Sequence, residues 1–157
     1  MKRFFLILLF LGSGIALGEV VRLAPNFALE GTGNRSTLRS FSGKPIVLII
    51  AKSASDKRVK DQVKRLKEFY QEFASQQVIF IAAFQDVSRD IQSDIPFVLA
   101  KEGSKVALDY AVKSGGFNLI IIGKDGNLDL QTAKVCPASR VRDVLINSYV
   151  VQSAARR

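Results

Sequence analysis

Two unbroken apolar runs, Ile46 to Ala51 and Val78 to Phe84, are rich in β-branched and aromatic side chains and show no polar alternation. A strand that faces water on one side alternates polar with apolar, so runs of this kind belong in a sheet covered on both faces. Between them Val59, Val63, Leu66, Tyr70 and Phe73 recur at steps of four, three, four and three. That is the stripe of an amphipathic helix, predicted over 56–74. Strand, helix and strand in so short a span make a crossover unit whose two strands run parallel. The fold class is therefore α/β.

The rest of the chain extends this unit. Before it, Pro25, Gly31, Gly33 and Asn34 punctuate short apolar pieces between Val20 and Leu38, which predicts extended lead-in strands joined by a turn. Ser42-Gly43-Lys44-Pro45 is a turn that launches the first long run. After the unit, Ile95 to Leu99 is a short extended piece, and 104–112 can form a helix with Val106, Ala107 and Tyr110 turned inward. A third strand is predicted over Asn118 to Ile122 and a fourth over Leu128 to Ala133. The turn between them contains Asp125-Gly126, a strong hairpin signal. Pro137 opens a last helix in which Val141, Val144, Leu145 and Tyr149 repeat at helical spacing. Ser53, with Asp56 three residues on, reads as a capping box for the first helix.

The N-terminus has a different character. Lys2 and Arg3 precede an apolar run from Phe4 to Leu11, and Ala16-Leu17-Gly18 places small residues where a signal peptidase inspects the chain. This is the pattern of a secretory signal over 1–18, cleaved before Glu19, leaving one domain over 19–157. The alternative is an uncleaved anchor, for which the apolar stretch is short against the roughly 20 residues a span requires. A periplasmic or secreted protein is expected, with no transmembrane span after cleavage. The chain carries a net charge of +9, which suits an acidic partner or weak contact with an anionic envelope surface. Export argues against nucleic acid. With no histidine in the chain, histidine metal sites, histidine acid-base catalysis and Ser-His or Cys-His nucleophile pairs are excluded. Cys136 is the single cysteine, so a disulfide could only be intermolecular.

The order of elements resembles the thioredoxin-like superfamily, and local wording supports it. Ala24-Pro25-Asn26-Phe27-Ala28-Leu29 is similar to the opening segment of thiol-disulfide oxidoreductases and peroxiredoxins, and Gly43-Lys44-Pro45 to the approach to their first core strand. Ile95-Pro96-Phe97 and the Gly123-Lys124-Asp125-Gly126 hairpin have counterparts there too. Gly116-Phe117, that hairpin and the basic C-terminal helix further resemble a family of short bacterial thioredoxin-like proteins with no assigned activity. The thioredoxin-like resemblance implies a central mixed β-sheet flanked by helices, and a Cys-x-x-Cys at the start of the first helix, where the helix dipole stabilises a thiolate. Here those positions hold Ser55, Asp56, Lys57 and Arg58. The cis-proline that faces the pair would fall near Gly116 or Phe117, and no proline is present. A one-cysteine peroxidase of the superfamily carries its cysteine on the first helix, beside a threonine and an arginine. No cysteine stands there either.

Four groups of residues are candidates for function. Lys52, Ser53, Ser55, Lys57 and Arg58 could bind an anion at the helix start, against the ordinary reading of a capped helix with a solvated basic face. Cys136, next to Pro137, could be a reactive thiol near a helix N-terminus, against an inert buried one. Asp86, Arg89, Asp90 and Asp94 follow the second core strand, but their spacing matches no calcium loop and reads as polar surface. Arg140, Arg142, Arg156 and Arg157 make the C-terminal region basic. No catalytic residue, metal or cofactor is expected. The sequence points to a redox-inactive binding module that takes a protein or small anionic ligand, the alternative being a thiol-dependent enzyme or sensor acting through Cys136.

Overall fold

The computed structural model describes residues 22–31, 33–34, 36–87 and 91–155, with side chains as far as Ser148. The predicted leader over 1–18, its cleavage point, and Arg89, Asp90, Arg156 and Arg157 lie outside the described residues. Five strands form one mixed sheet: β1 (Ile46–Ala51), β2 (Ile79–Phe84), β3 (Phe97–Leu99), β4 (Asn118–Ile122) and β5 (Leu128–Thr132), in the spatial order β3-β2-β1-β4-β5. β1 and β2 are parallel, as the crossover requires, and β3 adds parallel to β2. β4 lies antiparallel to β1, and β5 antiparallel to β4, with a bulge at Ile121/Ile122.

The absence of polar alternation in the strands follows from where their two faces go. Val47, Ile49 and Ala51 of β1, with Phe80, Ala82 and Phe84 of β2 and Leu119 and Ile121 of β4, enter one core. Ile46, Leu48 and Ile50, with Ile81, Ala83, Ile120 and Ile122, enter the other. The first core is covered by α1 (Lys57–Lys67), α2 (Tyr70–Ser75) and α4 (Ala138–Ala155). The second is covered by α3 (Gly103–Asp109) and the lead-in segment. Every side chain of β1 is buried, so a polar residue on either face would lose its water without a partner.

Two expectations are corrected here. The single helix over 56–74 is two helices, because Glu68 and Phe69 leave the α-helical pattern in a tight turn whose N–H groups bond back to Arg65 and Leu66 carbonyls. The turn re-aims the second half of the apolar stripe. Phe73 is fully buried, its ring 6.2 Å from Phe80, and Tyr70 approaches Phe80 at 6.0 Å. The lead-in strands are isolated bridges, Leu23 to Asn127, Ala28 to Thr37 and Leu29 to Ala100, followed by a 3-10 turn at Leu38–Phe41. The Pro and Gly residues of this stretch deny it a continuous ladder.

Tyr110, just past α3, ties the lead-in segment to the second core. It is fully buried, meets Phe27 edge-on at 6.1 Å and donates its hydroxyl hydrogen to the Pro25 carbonyl at 2.8 Å. Burial pushes the phenol well above its ordinary pKa. Tyr110→Phe keeps the ring and strands that carbonyl, and is expected to cost about 1–2 kcal/mol. Urea denaturation should show a lower midpoint with an unchanged slope.

Candidate functional site

The C-terminal ends of β1 and β2 and the loop before β4 converge on the start of α1. This is the crevice in which open α/β sheets hold ligands. Gln85 N–H donates to the Ala51 carbonyl at 3.0 Å and Asp86 N–H to that of Lys52 at 2.8 Å, which holds the two strand ends together beyond the sheet. The Gln85 side-chain oxygen accepts from Gly115 N–H at 3.1 Å and draws in the third segment.

The capping box predicted for Ser53 and Asp56 is replaced by a different cap. Asp56 is itself the N-cap, its Oδ1 accepting from Arg58 N–H at 2.9 Å, and Ser53 stands outside the helix with its hydroxyl 2.8 Å from that of Ser55. Aspartate is a strong N-cap because its oxygen satisfies an N–H that the helix leaves free. The same carboxylate receives the Arg58 guanidinium in two contacts, 3.0 Å from Nε and 2.6 Å from a terminal nitrogen. That guanidinium reaches on to the Gly115 carbonyl at 3.1 Å and lies 5.7 Å from the centre of the Phe117 ring.

The two places where the redox site of the resemblance falls are thus adjacent in space, and an ion pair fills the gap between them. Arg58 holds the Asp56 carboxyl below its ordinary pKa, while partial burial opposes the shift. A depressed folded-state pKa stabilises the fold above the unfolded value, and that contribution is lost as pH falls through the folded one. Asp56→Ala should cost about 1 kcal/mol at neutral pH. The difference from the parent protein should shrink in denaturation curves taken at successively lower pH.

Of the five residues expected to bind an anion, Arg58 is committed to Asp56 and Gly115, and Ser53 and Ser55 face each other. Lys52 and Lys57 are exposed. The position an external anion would take at the helix N-terminus is held by the Asp56 carboxylate.

Cys136 stands apart from this ensemble, in the loop between β5 and α4. It belongs to the first core, 7% exposed, and burial raises its thiol pKa against the opposing pull of Arg140 and Arg65. Its backbone is gripped by Gln62 of α1: Cys136 N–H donates to the amide oxygen at 2.7 Å, and the amide nitrogen donates to the Cys136 carbonyl at 3.0 Å. Gln62 is fully buried. In the sequence it is one more polar residue of the helix, and no spacing rule singles it out.

The remaining candidates scatter. Asp86 accepts from Val87 N–H, and Asp94 pairs with Lys67. Among the described residues no three carboxylates or thiols gather as metal ligands would. The Arg142 guanidinium lies 4.9 Å over the Phe69 ring and 3.4 Å from Asp143, and Arg140 is exposed.

Residues 20–130 match the AhpC/TSA family. The chain belongs to that family. A search of curated proteins finds no match. Among solved structures, this AhpC/TSA protein superposes on a candidate thiol:disulfide interchange protein DsbE from Chlorobium tepidum with a TM-score of 0.65 at 17% identity, over 82% of this chain and 96% of the other. Plasmodium yoelii thioredoxin peroxidase I gives 0.60 at 17% identity, over 87% and 92%. The thioredoxin domain of a Bacteroides vulgatus thiol-disulfide oxidoreductase gives 0.60 at 16%, over 78% and 95%. At these identities the likeness shows the fold, which is thioredoxin-like. Among the described residues no helix is long and apolar enough to cross a membrane.

Proposed function

We propose that this AhpC/TSA protein is an exported, redox-inactive binding module. The observation that carries the reading is the Asp56–Arg58 pair, which reaches Gly115 and Phe117 across the place where thiol chemistry would be expected. An ion pair has no sulfur to exchange or oxidise. The leader pattern at 1–18 supports export, and sequencing the N-terminus of protein recovered outside the cytoplasm should find Glu19 first. The positive balance of the chain supports an acidic partner or small anionic ligand. The Gly116-Phe117 and Gly123-Lys124-Asp125-Gly126 wording supports placing it with the short bacterial thioredoxin-like proteins that have no assigned activity.

Family membership favours a second reading, thiol-dependent chemistry through Cys136. The burial that raises its pKa disfavours the thiolate that acts as nucleophile. The two readings part in one experiment. With dithiothreitol as reductant, insulin disulfide reduction and hydrogen peroxide consumption should proceed at the rate of the reductant alone. Cys136→Ser should behave identically. Turnover above that background that disappears in Cys136→Ser would establish the second reading and end the first.

A further inference from the structure

A groove of about 640 Å³ runs beside α1, lined on one side by Val59, Lys60, Val63 and Lys64 and on the other by Ile91 and Asp94. Its volume is that of a ligand site. The lysines of α1 form a row, Lys57, Lys60, Lys64 and Lys67, separated by three, four and three residues. Like charges at these spacings repel along the helix, while Asp61 and Glu68 stand at favourable spacings to Lys57 and Lys64. Asp94 crosses the groove to pair with Lys67. Lys60 and Lys64 are exposed, and among the described residues they have no acidic partner. Among the described residues, then, one lysine of the groove is answered by a carboxylate and the next two are not.

Resting on the binding-module reading, we infer that the groove takes an extended acidic segment of a protein partner, with two carboxylates two residues apart meeting Lys60 and Lys64. The spacing selects the conformation. Helix side chains four residues apart stand about 6 Å from one another, and in an extended strand alternate residues are spaced by about 6.6 Å on one face. The residue between the two acids then points the other way, toward Ile91 on the opposite wall. A helical partner, about 10 Å across, is a poorer fit, and a flat anionic membrane cannot reach the floor of a concave groove. The Lys67–Asp94 pair is the internal precedent for a carboxylate held across it.

The test uses a blocked, dye-labelled peptide of alternating glutamate and leucine, its glutamine counterpart, and phosphatidylglycerol vesicles. Saturable binding of the glutamate peptide is expected, weaker by about tenfold for the glutamine form and falling as salt screens the charges. Lys60→Glu with Lys64→Glu should weaken it by about tenfold or more. Lys113→Glu with Lys134→Glu, an equal change of net charge at exposed positions elsewhere, should alter it by less than about twofold. Circular dichroism checks that both double variants fold. No saturable peptide binding, equal losses in the two double variants, or binding to vesicles alone would each overturn the proposal. None of these outcomes produces thiol turnover, so the redox assays still decide the underlying reading separately.

Discussion

Gly103→Ala is expected to destabilise the protein by about 3 kcal/mol or more. Gly103 is buried at the first position of α3, where the helix meets the end of β2. A Cβ on it would stand 1.8 Å from the Phe84 carbonyl oxygen, 2.3 Å from the carbonyl carbon and 2.8 Å from the nitrogen. All three are main-chain atoms of a strand bonded to β1 and β3, so no side-chain rotation relieves the overlap. Either α3 lifts from the sheet, loosening Val106 and Ala107 from the second core, or β2 distorts. Thermal unfolding should shift down by roughly 6–12 °C. A loss under about 1 kcal/mol in chemical denaturation would mean that α3 moves away from β2 at little expense.

Gln62→Leu should cost about 2–4 kcal/mol, since it strips partners from both backbone groups of Cys136 in a buried place. Its leucine fits the apolar surroundings, so the loss isolates the hydrogen bonds from the packing. Gln62→Glu separates the halves: a carboxylate can accept from Cys136 N–H but cannot donate to the carbonyl, and its buried charge adds a further penalty. Both variants should also speed the reaction of Cys136 with a colorimetric disulfide reagent, because the amide grip joins α1 to the loop that keeps this sulfur in the core. Unchanged labelling alongside the expected loss of stability would show that the core, without the grip, suffices to bury the thiol.

These two residues mark where sequence reading stops. Gln62 bonds to a residue 74 positions away, and Gly103 is required by main-chain atoms of Phe84, on another element. Neither leaves a periodic trace. Arg58 belongs to the helix start in the sequence, yet its meaning comes from Gly115 and Phe117, 57 and 59 positions on. The break at Glu68 and Phe69 was likewise hidden, because the apolar stripe continues through it at helical spacing and the aromatic packing on β2 decides the bend.

What the sequence determined by itself was the arrangement that depends on local pattern. The unalternating runs of β1 and β2 required a sheet buried on both faces, the stripe between them required a crossover helix, and the glycine-bearing turn before Leu128 required a hairpin. The sequence also removed the cysteine pair from the chemistry, since an absent thiol is visible without coordinates. Tertiary structure decided what occupies the place of that pair. Hydrogen bonds and ion pairs need atoms within about 3 Å, and only the closed fold brings Asp56 and Arg58 to the glycine loop and Gln62 to Cys136.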